Sequence, residues 1–126
     1  MTVIKEVKVG EVSGAALDYL VLTCGQLDAD SNITTKQFIS MRNQGYFLYS
    51  TDWEQGGPII DREKIDLFTE KGTPEAWVAS MARYQNGERL VGWRIHMYGP
   101  TPLIAVMRCY VASKLGEVVK VPQELL

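Results

Sequence analysis

Two short segments carry the side chains and backbone best suited to holding a ligand. The first is Asp52-Trp53-Glu54-Gln55-Gly56-Gly57-Pro58. Trp53 offers a flat stacking face, Asp52 can accept from an amino group or a hydroxyl, and a Gly-Gly-Pro turn would expose backbone N–H donors. That is the tool set for a purine-like or ribose-bearing molecule. The plainer alternative is a tight loop pinned by a half-buried tryptophan, with Asp52 capping the turn. The second segment is Gly99-Pro100-Thr101-Pro102. A capped helix start presents free N–H groups and a partial positive charge, which suits a phosphate or carboxylate, and Gly99 would permit close approach. Its plainer alternative is a rigid turn and a cap, because most helix starts hold only water and their own cap.

Arg94 and Arg108 could add charge, since a guanidinium fork binds two phosphate oxygens. Arg108 stands six residues past Pro102, nearly two turns down a helix, so pairing with a carboxylate is the simpler reading for it alone. His96 is the only histidine and has no Cys or His at ligand spacing, so no metal site is expected. Cys24 and Cys109 sit in apolar helical patterns, whereas reactive thiols need a polar, electropositive setting; both read as reduced core residues. Ser-His-Asp chemistry lacks a nucleophile elbow. Asp61, Glu63 and Asp66 form no convergent carboxylate cluster for metal-dependent phosphodiester chemistry, and Asp61-Arg62-Glu63-Lys64 reads as a solvated segment. No catalytic residue and no cofactor is assigned.

The elements that must position these residues are mostly visible in the pattern. Val3 to Val9 suits a short strand ending at Gly10. Ser13 opens a helix in which Leu17, Leu20, Val21 and Cys24 fall at helical spacing, and Gly25 stops it. Residues 26–45 are polar and read mostly as loop, with a short strand at 36–41. Gly56-Gly57-Pro58 reads as a forced turn. Residues 64–69 suit a strand. For 74–84, Thr73-Pro74-Glu75 resembles a helix start, but Asn86-Gly87 is a strong hairpin signal; the favoured reading pairs 76–84 with 88–97. The last element is a helix with Thr101 as N-cap, Pro102 at the first position, Lys114 in the last turn and Gly116 as the stop. The sum is an α+β domain over 1–126: a small, mainly antiparallel sheet packed against two helices, about 13–24 and 102–115.

Composition bounds the function classes. A chain of 126 residues fits one domain, which should bury roughly two-thirds of its unfolded surface. Hydrophobic and charged fractions of 46% and 22% are those of an ordinary globule. A formal net charge of -2 argues against duplex nucleic acid as a partner. No apolar run reaches membrane-span length and Met1 to Glu6 lacks a secretion-signal layout, so a cytoplasmic protein without a membrane partner is expected.

Three segments carry a family resemblance: Ser13-Gly14-Ala15-Ala16-Leu17-Asp18, then Ser50 through Ile60, then Tyr98 through Gly116. They resemble the signature blocks of the phage NinX family. The resemblance implies a small accessory protein of lambdoid phages and prophages in enteric bacteria and brings no catalytic residues with it. Residues and resemblance together lead to a non-enzymatic phage protein that binds a small anionic, nucleotide-like ligand. Asp52, Trp53, Gly56, Gly57, Pro58, Arg94, Gly99, Pro100, Thr101 and Arg108 would form the site, and sequestering a host anti-phage defence signal would be its use. Two alternatives stay open: a protein-interaction module or homo-oligomer built on exposed aromatics, and a nucleotide-processing enzyme.

Overall fold

The structure, a computed structural model, describes residues 3–25, 33–72 and 77–126. Along the chain run β1 (Ile4–Lys8), a 3₁₀ turn (Val9–Glu11), α1 (Gly14–Gly25), α2 (Thr35–Asn43), α3 (Trp53–Glu63), β2 (Asp66–Thr69), β3 (Trp77–Gln85), β4 (Glu88–Gly99), α4 (Pro102–Leu115), β5 (Val118–Pro122) and a last 3₁₀ turn (Gln123–Leu125). The class is α+β, with two antiparallel sheets: β2-β3-β4 and the ribbon β1-β5.

α4 is the hub. Leu103 and every residue from Ala105 to Ala112 are buried, as expected of a helix apolar on nearly all sides. It packs on β3, β4, α1 and α3. Strand alternation splits the three-stranded sheet into two faces. Ala79, Met81, Ile95 and Met97 turn to the core under α4. Asp66, Phe68, Ser80, Arg94, His96 and Tyr98 share the other face. The 77–85/88–99 hairpin turns at Asn86 (φ 53°) and Gly87 (φ 81°), the two positive φ values that a two-residue type I′ connection needs. Residues 77–84 are strand, so the helix alternative for 74–84 does not hold there; its start, residues 73–76, lies outside the described residues.

Three expectations are corrected. Residues 35–43 form α2, neither loop nor a strand at 36–41. A capping box starts it: Thr34 accepts from the Gln37 N–H and Gln37 from the Thr34 N–H. Two reciprocal bonds satisfy helix-start donors in a segment with little apolar signal. Its one buried anchor is Phe38. Residues 26–32 of that expected loop lie outside the described residues.

Gly56-Gly57-Pro58 is no turn; it lies inside α3. Asp52 caps α3, and Lys64 (φ 54°) closes it in the left-handed region, which delays the strand expected from Lys64 until Asp66. Finally, the ribbon β1-β5 completes the fold. It sets Val119 and Val121 into the core while Val118 and Lys120 face out. No described helix is long and apolar enough to cross a membrane.

Candidate functional site

The site is built on the amino-terminal ends of α3 and α4. At α3, Asp52 accepts from the Glu54 N–H (3.0 Å) and from Gln55 Nε2 (3.0 Å). Gln55 also receives the Leu48 N–H (3.0 Å) and donates to the Gly45 carbonyl (2.8 Å), so one side chain ties the preceding loop to the helix. At α4, Thr101 accepts from the Ile104 N–H at 3.2 Å, with Pro102 in the first turn.

The two helices run side by side in the same direction. Near their starts, a Cβ added to Gly56 would lie 3.0 Å from the Leu103 side chain. Near their ends, Lys114 pairs with Glu63 at 3.4 Å, and Arg62 donates to the Tyr110 hydroxyl at 3.3 Å. Both helix starts therefore point the same way. Each helix carries about half an elementary positive charge there; at α3 the Asp52 cap and Glu54 in the first turn offset it, whereas α4 has a neutral Thr101 cap and no acidic residue in its first turn, so α4 is the start better suited to an anion.

Aromatic rings stand beside this end. Trp53, in the first turn of α3, is 54% exposed, and Tyr46, next to the Gly45 anchored by Gln55, is 55% exposed. The following Phe47 holds a left-handed backbone (φ 61°), a conformation that costs energy for a bulky residue and collects at functional loops.

Each residue named from sequence has a definite place. Asp52, Trp53, Gly56, Gly57 and Pro58 lie in α3 or its cap, and of these Gly56 approaches Leu103 in the first turn of α4. Gly56 supplies no open donor. Its N–H donates to the Asp52 carbonyl (2.8 Å), and a Cβ there would meet the Tyr49 carbonyl at 2.2 Å. It is a packing glycine that lets α3 close on its own loop. Gly99 acts alike: a Cβ would lie 2.5 Å from the Ala105 nitrogen, so β4 and α4 meet through its bare backbone. Pro58, Pro100 and Thr101 are exposed.

The two arginines are elsewhere. Arg94 lies on the sheet face turned away from α4, bonded to Ser80 Oγ (2.8 Å) and to Asp66. Arg108 is buried, donating to the Val12 carbonyl (2.9 Å) and the Tyr98 carbonyl (2.7 Å). It rivets the segment after β1 to β4, and its guanidinium meets backbone acceptors. Arg94 is thus engaged with Ser80 and Asp66, and Arg108 contacts the chain at Tyr98, three residues before the α4 cap.

Asp18 is a residue that local sequence chemistry does not single out. It is fully buried on α1, with Oδ1 taking the Ser50 N–H (2.8 Å) and Oδ2 taking Arg42 Nε (2.9 Å). Burial raises its pKa above the usual carboxylate value, opposed by the Ser50 bonds and by Arg42. The available signal was a carboxylate at a core-facing position between Leu17 and Leu20. Among the described residues, two open grooves of about 460 and 440 Å³ flank β1, sharing Lys8, Glu11 and Val118; they are distinct from the helix starts.

Fold and site together define a small α+β domain that presents paired, capped helix starts beside exposed aromatic rings. A family model described as "Bacteriophage P22, NinX" matches residues 8–114. The chain belongs to that NinX family, and the match spans both helix starts. No curated protein matches the chain.

Proposed function

We propose that this NinX-family protein binds a small anionic, nucleotide-like molecule without transforming it, at the end where α3 and α4 begin together. The observation that carries the reading is the parallel alignment of two capped helix starts beside exposed Trp53 and Tyr46. In this reading the α4 dipole attracts the phosphate, Trp53 stacks on the base, and Asp52 and Thr101 accept from ribose or base donors. Arg94 and Arg108, already engaged elsewhere, take no part. In the cytoplasm of an infected or lysogenic cell, such binding would withdraw a host nucleotide signal that triggers defence.

A thermal-shift panel of nucleoside phosphates and cyclic dinucleotides tests it. A ligand at a hundred times its Kd adds about 2.7 kcal/mol of stability, a rise of several degrees. Trp53→Ala should abolish the rise while leaving the free protein's melting point close to the parent's. A panel that leaves the parent unshifted would sink the proposal. One observation favours a second reading, a protein-interaction module: Phe68 and Tyr98 are exposed on the sheet face opposite α4. A parent that no nucleotide stabilises, together with a Phe68→Ser variant that loses a bound protein, would favour that second reading.

A further inference from the structure

The loop before α3 is held in an unusual way. Of residues 44–52 only Ser50 is buried, while Phe47 and Tyr49 pack partly buried against the core. Polar groups supply the rest of its attachment. Gln55 fixes the two ends through Gly45, Leu48 and Asp52. The middle is fixed at Ser50, whose N–H enters Asp18 Oδ1. The other Asp18 oxygen takes Arg42 from α2. α2 in turn meets the loop through Phe38, whose ring stacks on Phe47 at 5.8 Å and meets Tyr19 edge-on at 5.5 Å.

A buried carboxylate in an apolar helix is a poor way to gain stability, because desolvation offsets most of the attraction; its better-attested use is to fix one arrangement among several. Here one carboxylate receives groups 24 and 32 residues away in the chain. We propose that Asp18 and Arg42 form a clamp that sets α2 and the 44–52 loop as one body, so that Asp18 is the positioning residue for Tyr46 and for the Asp52 cap. The clamp rests on the ligand reading only for the use made of those groups. It acts through Ser50 and Arg42 and touches no ligand.

The test uses the free protein, so its outcome is independent of the ligand screen. Amide exchange is compared between the parent, Asp18→Asn and Arg42→Met. Asp18→Asn keeps side-chain size but turns a donor toward Arg42 or Ser50, and Arg42→Met removes the cation from a half-exposed site and covers the case where the first variant fails to fold. Exchange across 36–52 should speed up by roughly tenfold or more in each variant, while α4 and β3 keep parent rates, as expected of local opening. The 5-fluorotryptophan signal of Trp53, assigned by Trp53→Phe, should shift as well, and Arg42→Lys should restore part of the protection. Unchanged rates at 44–52, or the same acceleration in 44–52 and α4, would overturn the clamp.

Discussion

α3 and α4 begin side by side, run in the same direction and are capped by the same device, a side-chain oxygen taking a backbone N–H from the first turn. Their sequences could hardly look less alike. α4 places its proline at the first position, where a missing N–H costs nothing. α3 carries Gly56, Gly57 and Pro58 in its middle, residues that ordinarily break a helix. The difference lies in what surrounds them. α4 is held by burial on nearly every side. α3 is held at its start by polar bonds from Asp52 and Gln55, and Gly56 is required there because nothing larger fits under the Tyr49 carbonyl. Breaker residues thus describe the isolated chain, and tertiary contacts decide whether the break occurs.

The sharpest way to break this comparison is to fill the two close approaches. Gly56→Ala should cost roughly 3 kcal/mol, because the obstructing atom is backbone and cannot rotate away. Gly99→Ala, against the Ala105 nitrogen, should cost a similar amount. Gly57→Ala meets only the Trp53 ring at 3.8 Å, an ordinary contact in a helix, so it should stabilise by about 0.5–1 kcal/mol. Urea melts of the three variants would show opposite signs at adjacent positions.

Next in size is Asp18→Ala, which strands the Ser50 N–H and Arg42 and should cost roughly 2–3 kcal/mol. The pH dependence of this site has a defined sign. Burial raises the folded-state pKa of Asp18 above its ordinary 3.8. The stability linked to that shift is therefore full below the ordinary value and is lost as pH rises through the raised one. Stability relative to Asp18→Asn should fall from pH 3.5 towards neutrality across that window, approximately; a difference that grows with pH would contradict the sign.

Smaller still are the caps. Thr101→Ala and Asp52→Ala should each cost about 1 kcal/mol, with Asp52→Ala the larger because Gln55 also loses an acceptor. Near-equal losses would mean that Gln55 contributes little to holding the loop. Cys24 and Cys109 set the zero of the scale. Burial pushes both thiols up to about 12, so neither should react with an alkylating reagent at pH 8 in the folded protein, and both should react in urea.

These contrasts also explain what could be read in the sequence. α1, α4 and the 77–99 hairpin announce themselves because each combines a local signal with apolar periodicity: Thr101-Pro102 at one helix start, Asn86-Gly87 at one turn, Leu17 and Leu20 on one face. α2 carries a single fully buried side chain, Phe38, so its pattern averages to polar and only the Thr34/Gln37 box marks it. α3 was hidden by glycines whose reason is the Tyr49 carbonyl, a contact no local pattern encodes. The candidate site was half visible. Asp52 and Thr101 are caps that local chemistry reveals, and Trp53 is an exposed ring beside one of them, whereas the engagement of Arg94 with Asp66 and of Arg108 with two distant carbonyls depends on the fold. Asp18 escaped because its partners stand 24 and 32 residues away.

The most direct measurement is a backbone amide titration of the folded protein with the nucleotide that gives the largest thermal shift. The account predicts that amides of 52–57 and 101–105 move together along one saturation curve, with the Trp53 indole among them. Saturable shifts confined to the grooves beside β1 or to the open sheet face, with both helix starts unmoved, would contradict it.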